Sequence, residues 1–218
     1  MPRNSPLGVF INCPFDSRYK KFFDAIVFTV IRCGFDARCA LEIDDGGGTR
    51  IDKIMNLIEA CPFGIHDICR TEPDLTSKLP RFNMPLELGI FLGARRYGGK
   101  DQQRKQCLIL DKERFRYQKF ISDISGQDIH AHDLSAEKAI YKVRDFLRTN
   151  GSHISGGRKI YNEYLRFEKD KRTLCRTLEL DPAELTFKDL THVIAKWIVR
   201  RSVDAAAISS ILPPSARG

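Results

Sequence analysis

The chain has 218 residues and a mass of 24.9 kDa, which suits one complete α/β domain with a small addition. Its 36 lysines and arginines exceed its 28 aspartates and glutamates, and the net charge of +8 favours nucleotides or nucleic acid as partners. No apolar run is long enough to span a bilayer, and the first residues lack the apolar segment of a signal peptide. We therefore expect a cytoplasmic protein without a membrane partner.

The seven cysteines are an odd number, lie scattered along the chain and include no CxxC pair. Most of them lie in or beside apolar runs, which predicts free buried thiols in a reducing compartment. The five histidines show no ligand spacing with the cysteines, and the pair His130 and His132 lacks a third ligand in the sequence. We therefore expect no metal site.

Apolar runs alternate with amphipathic segments through the first 150 residues, as strands alternate with helices. The pattern predicts a strand at 7–12, a helix at 17–33 capped by Ser17, a strand at 35–43, a glycine loop at 44–49 and a helix at 51–61. There follow a strand at 63–68, a polar loop at 70–81, a helix at 83–97 capped by Asn83, a strand at 106–110, a helix at 113–125, an edge strand at 128–131 and a helix at 135–149.

Five strands that alternate with five helices predict an α/β fold, with helices on both faces of a parallel sheet and right-handed crossovers. We expect a flavodoxin-like sheet of strand order 2-1-3-4-5 within residues 7–149. A Gly/Ser linker at 150–157 then leads to two predicted helices at 158–178 and 182–200, the second of which starts at Asp181-Pro182. The interpretation is thus an α/β domain at 7–149 and a small helical appendage at 158–200.

Ligands of open α/β sheets bind beyond the carboxyl ends of the strands, near the point where the strand order reverses. The segments that follow the first three predicted strands meet there, and they carry residue types that suit a nucleotide. The GxxxxGK[ST] and dinucleotide-binding glycine patterns are absent, which argues against phosphoryl transfer on a P-loop and against hydride transfer. The predicted nucleotide-binding residues are Pro14, Phe15, Asp16, Ser17, Arg18, Asp45, Arg50, Arg81 and Asn83.

The stretch at 79–94, LPRFNMPLELGIFLGA, carries the sharpest functional signal. Pro85 is tolerated in the first turn of a helix, and Glu87 falls one turn in. A carboxylate at that place can face the cleft, where it could bind ribose hydroxyls or stabilise or attack an oxocarbenium-like carbon. The structural alternative is a carboxylate that is simply favoured by the positive end of the helix dipole.

The same stretch resembles the helix of nucleoside 2-deoxyribosyltransferases, in which a glutamate before Leu-Gly is the nucleophile, and the TIR-domain helix that carries the NAD-cleaving glutamate. The resemblance covers roughly residues 7–149 and assigns the catalytic role to Glu87. Asp67, in the sequence His-Asp-Ile, resembles the aspartate that the transferases place near the base. The whole sequence is also similar to bacterial TIR-like or nucleotide-binding proteins, and relatives of this fold serve in antiviral defence.

The resemblance implies an N-glycosidase that cleaves NAD or a related nucleotide, with NAD as a substrate rather than a cofactor, and a homo-oligomer. The alternative is a non-catalytic TIR-like module that senses a nucleotide or assembles with other copies. Asn83 favours that alternative, because TIR NADases often have an aromatic residue at its position. A third hypothesis is a nucleic-acid-associated protein that uses its basic C-terminal helices.

Overall fold

The computed structural model describes residues 6–42, 46–73, 78–149 and 154–211, and of 204–211 it describes the backbone alone. Its centre is a five-stranded parallel sheet of order β2-β1-β3-β4-β5, which confirms the predicted flavodoxin-like architecture and strand order. The strands are β1 (Gly8–Asn12), β2 (Asp36–Arg38), β3 (Phe63–Asp67), β4 (Gln106–Asp111) and β5 (Ile129–Ala131).

Helices cover both faces of the sheet, because successive side chains of β1 point to opposite sides. The helices are α1 (Lys20–Arg32), α2 (Arg50–Ala60), α3 (Asn83–Tyr97), α4 (Lys100–Gln103), α5 (Ala136–Arg148), α6 (Gly157–Thr177) and α7 (Phe187–Ile211). Val9 and Ile11 belong to a large hydrophobic cluster with α1 and α5, whereas Phe10 packs in a second cluster with α2 and α3.

Gly64 lets α3 approach the middle of the sheet closely. A Cβ atom at this position would lie 2.6 Å from Nε2 of His66 and 2.7 Å from the ring of Phe91. Real Cβ atoms do not approach other atoms so closely, so glycine here sets the distance between β3 and α3. That distance in turn determines how close the first turns of α3 lie to the sheet.

Three predicted segments were wrong in extent. β2 spans only Asp36–Arg38, and the predicted helix at 113–125 is replaced by two short 3-10 segments, Arg116–Lys119 and Ser122–Ile124. An α-helix cannot run through this segment because Phe115 has a left-handed backbone with φ of 59°. The last predicted helix begins later, at Phe187 rather than 182.

The predicted helix caps were also wrong. Neither Ser17 nor Asn83 caps a helix with its side chain: α1 begins at Lys20, and Asn83 is already the first residue of α3. The carboxylate of Asp16 instead stabilises the turn that precedes α1, since it accepts hydrogen bonds from the backbone N–H groups of Arg18 and Tyr19. Neither α1 nor α3 thus has a side-chain hydrogen bond at its N-cap residue, which is Tyr19 in α1 and Phe82 in α3.

α6 and α7 pack directly on α1 and α5. The ring of Phe28 in α1 lies 5.2 Å from Phe167 of α6 and 5.7 Å from Trp197 of α7, and all three belong to the same hydrophobic cluster as β1. The carboxylate of Asp24 in α1 also binds Lys171 of α6 at 2.8 Å. The division into domains at 7–149 and 158–200 stays a prediction, but the two parts share one core.

Within the described ranges, no helix has both the length and the apolar character needed to cross a membrane.

Candidate functional site

Glu87 lies in the second turn of α3, at the edge of the sheet where the parallel strands end. The residue is only 7% exposed, and its carboxylate accepts no hydrogen bond from any residue that the structure describes. Burial raises the pKa of Glu87 to about 7, and the positive charge of nearby Arg50 opposes the rise. The side chain is therefore a carboxyl group that can change its protonation state near neutral pH.

Asp67 lies at the end of β3 and is fully buried. One oxygen accepts a hydrogen bond from the hydroxyl of Tyr19, and the other accepts one from the backbone N–H of Cys69 at 2.9 Å. The Nε2 atom of His132 lies 3.1 Å from the first oxygen. Since its oxygens are occupied by protein groups, Asp67 holds elements together here and does not reach a surface.

The two predicted carboxylates lie on opposite faces of the sheet. His66, next to Asp67, packs its ring on Phe91 of α3, so alternation along β3 turns Asp67 towards α1. Burial is the main cause of the raised pKa of the Cys13 thiol, and the negative charges of Asp67 and Glu87 raise it further. Cys13 therefore lies within electrostatic reach of Glu87 and Asp67, just beyond the end of β1.

Asn12 joins β1 to the start of α3, and the sequence-based prediction had given it no role of its own. Its side-chain amide donates to the carbonyl oxygen of Met84 at 2.9 Å and lies 3.1 Å from Nδ1 of His66. Burial lowers the pKa of His66 to about 3, so its ring is neutral. Asn12 thereby fixes the first turn of α3 on the sheet and, through it, the position of Glu87.

The predicted residues of the β1–α1 loop form one side of a small pocket of about 130 Å³. Phe15, Asp16 and Ser17 line it on that side, and Phe187 and Leu190 of α7 line it on the other. The contribution of α7 was not foreseen, since only the packing of the C-terminal helices on α1 brings it there. In the sequence, the aromatic side chain of Phe187 was the one feature that could have suggested a role for α7 in lining a ligand pocket.

The other predicted residues lie around this edge of the sheet. Pro14 is buried and Arg18 is exposed, and Asp16 accepts a hydrogen bond from Arg70 at 2.7 Å. Arg50 is the exposed first residue of α2, while Arg81 and Asn83 are exposed at the start of α3. Asp45 lies outside the described residues.

Asp67, Cys69 and His132 place a carboxylate oxygen, a sulfur and a ring nitrogen within 4.8 Å of one another, which by composition could hold a metal ion. However, Nδ1 of His132 accepts a hydrogen bond from the backbone N–H of Leu134 at 3.1 Å. That nitrogen is therefore occupied, and Nε2 lies 3.1 Å from Asp67 without forming a hydrogen bond. Both oxygens of Asp67 already accept hydrogen bonds, from Tyr19 and from the backbone N–H of Cys69, so the trio fits a buried polar cluster better than a metal centre.

No known family model matches the chain, and no curated protein matches it.

Proposed function

We propose that the protein is an N-glycosidase that cleaves NAD or a related nucleotide, with the carboxylate of Glu87 acting at the anomeric carbon. The observation that carries the proposal is the state of Glu87: a carboxyl group at the carboxyl edge of the sheet, buried, free of hydrogen-bond donors among the described residues and near Arg50. The resemblance to TIR domains and deoxyribosyltransferases supports the same assignment. A role in bacterial antiviral defence belongs to this proposal.

Cleavage of a glycosidic bond builds positive charge at the anomeric carbon, which a nearby carboxylate stabilises in a site that excludes water. Because the pKa of Glu87 is raised to about 7, the group is partly protonated in the empty site at neutral pH. A substrate with a positively charged ring nitrogen, such as NAD, favours the ionised form on binding. The substrate itself thus helps to bring the carboxylate into its active state.

The pocket beside the β1–α1 loop has the character that a flat base requires, and Glu87 is not among the residues that line it. Its walls include the aromatic rings of Phe15, Phe23 and Phe187, and its volume of about 130 Å³ suits one small ring system. The exposed side chains of Arg18 and Arg50 supply positive charge for phosphates at the same edge. Asp67, predicted as catalytic from the resemblance, acts in this proposal as a positioning residue through Tyr19.

The test is release of the free base from NAD and from nucleosides, measured together with the melting temperature of each variant. Glu87→Gln keeps the size of the side chain, so we expect a folded protein without base release. Glu59→Gln, at an exposed position of α2, is the matched control and should retain full turnover. Asp67→Asn should reduce turnover less than Glu87→Gln. Unchanged turnover in Glu87→Gln would remove this residue from the mechanism.

The burial of Asp67 favours a second candidate function, a non-catalytic module that binds a nucleotide and assembles with other copies. With its oxygens bound by Tyr19 and Cys69, Asp67 cannot act on a substrate directly. Binding of NAD in calorimetry and a rise in mass in light scattering, both without base release from the wild type, would establish this function in place of the glycosidase.

A further inference from the structure

A second, larger cleft lies along β5, the edge strand of the sheet. Its volume is about 510 Å³, within the range of ordinary small-molecule sites. Neither Glu87 nor Asp67 lines it, and its walls come from the segment after β4, from β5 and from α5. The residues that matter for its chemistry are Arg114, Phe115, Ile129, Ala131 and Lys142.

The charged side chains that line the cleft carry an excess of positive charge, with three cations against two carboxylates. Lys138 is paired with Asp133 at 2.6 Å, but Arg114 and Lys142 form no salt bridge with any residue in the described parts of the chain. Lys142 is also half-buried in the cleft wall, which adds to the cost of leaving it unpaired. The remaining acid, Asp128, has a side chain that is 91% exposed and is thus well solvated. An anion in the cleft would meet two free cations.

Phe115 is held in an unfavourable backbone conformation beside these cations. Its φ of 59° lies in the left-handed region, which is rare for a bulky residue, and its side chain is left exposed, at 67% for the residue. Such strain costs about 1 kcal/mol or more and tends to occur at ligand sites. At Phe115 this backbone conformation places the aromatic ring at the cleft, where it is exposed, and not in the hydrophobic core.

The open edge of β5 supplies hydrogen-bonding groups in the same cleft. His130 pairs with Leu110, and the N–H of His132 donates to Asp111, so these residues direct their peptide groups towards β4. Peptide groups alternate along a parallel strand, which turns those of Ile129 and Ala131 away from β4. Because β5 is the last strand of the sheet, they face the cleft with both donors and acceptors.

We propose that this cleft binds a nucleoside monophosphate, with the phosphate on Arg114 and Lys142, and the base between the ring of Phe115 and the open edge of β5. A phosphate monoester uses the free cations, a flat base uses the ring, and its polar edge uses the peptide groups. This site is separate from that of Glu87 and does not rest on the proposed glycosidase activity.

The test is protection of lysines from acetylation in the full chain, measured by mass spectrometry with and without AMP. AMP should slow acetylation of Lys142 and leave Lys169, an exposed lysine of α6, unaffected. Inorganic phosphate and adenosine, each alone, should protect Lys142 less than AMP does. Equal acetylation of Lys142 with and without AMP would overturn the site. Equal protection by inorganic phosphate would overturn the assignment to a nucleotide.

Two substitutions separate the parts of the site. Lys142→Gln should weaken binding of AMP about tenfold, whereas the control Lys169→Gln should not. Phe115→Gly removes the ring but accepts the left-handed backbone, so affinity should fall about tenfold without a loss of melting temperature. Wild-type affinity in Phe115→Gly would overturn the role of the ring. Protection of Lys142 by AMP should persist in Glu87→Gln, which distinguishes this site from the one proposed for glycosidic cleavage.

Discussion

The hydroxyl of Tyr19 donates a hydrogen bond to the carboxylate of Asp67 inside the protein, which joins the start of α1 to the end of β3. The contact lies at the carboxyl ends of the strands, on the face of the sheet that α1 and α5 cover. Glu87 lies on the other side of the same edge, where no described residue donates a hydrogen bond to it. The two carboxylates that the sequence singles out thus have opposite states, one hydrogen-bonded within the fold and one buried without a hydrogen bond from a described residue.

We expect Tyr19→Phe to lower the free energy of unfolding by about 1–3 kcal/mol, because a buried carboxylate loses a donor. Chemical denaturation would measure the change. Tyr97→Phe removes the hydroxyl of a tyrosine that is 87% exposed and is the matched control. Equal stability of the two variants would contradict a structural role for the bond between Tyr19 and Asp67.

Glu87 should make the protein less stable as the pH rises through neutrality. Its pKa is raised from 4.5 to about 7 in the folded protein, so the folded state holds a proton that the unfolded chain releases over this interval. The stabilisation is complete below pH 4.5 and is lost as the pH rises through about 7. It amounts to roughly 3 kcal/mol, at about 1.4 kcal/mol for each pH unit.

Melting temperatures of wild type and Glu87→Gln between about pH 5 and about pH 8 test this sign. The variant cannot ionise at this position, so it should gain stability relative to the wild type as the pH rises. A difference that stays constant over the interval would show that Glu87 keeps an ordinary pKa.

Lys171→Met should destabilise the contact between α1 and α6. Asp24 is buried, and without Lys171 only Lys20 among the described residues, at 3.3 Å and half exposed, would form an ion pair with it. We expect a loss of about 3 kcal/mol in the free energy of unfolding. Lys169→Met changes an exposed lysine of the same helix and should have little effect. The double variant Asp24→Leu with Lys171→Met should recover much of the loss, and an additive double variant would speak against a direct pair.

A chain that ends at Thr149 should lose its folded state or aggregate, because Phe28 packs on the aromatic rings of Tyr164, Phe167 and Trp197. Removal of these rings exposes an apolar face of α1, which a hydrophobic dye should detect. A shortened chain that is soluble, binds no dye and melts like the full protein would instead establish an independent domain at 7–149.

The sheet order and most elements could be predicted because they depend on local periodicity and on general topology. The helix predicted at 83–97 is confirmed as Asn83–Tyr97, where Pro85 and the apolar spacing act within one segment. The failure at 113–125 has a long-range cause. Arg116 binds Asp111 at the end of β4 and the carbonyl oxygen of Ile68, which follows β3, and these contacts hold the segment in short turns.

For the candidate site, topology alone put Glu87 and Arg50 at the same edge of the sheet, and the influence of Arg50 on the pKa of Glu87 agrees with that placement. The contacts of Asp67 with Tyr19 and His132 could not be predicted, since they join three elements that lie far apart in the sequence. These contacts depend on burial, and the hydrophobic periodicity of the sequence does not predict which polar side chains contact each other in the fold. The function of the site stays a prediction.

Because α1 is covered by helices that follow much later in the chain, its packing can be completed only late in the synthesis of the protein. Lys171 follows Asp24 by 147 positions, so a ribosome must make most of the chain before α1 can be covered. Until then the apolar side that includes Phe28 is open to water and to other nascent chains. The apolar side of α1 is therefore covered only after α6 and α7 have been made.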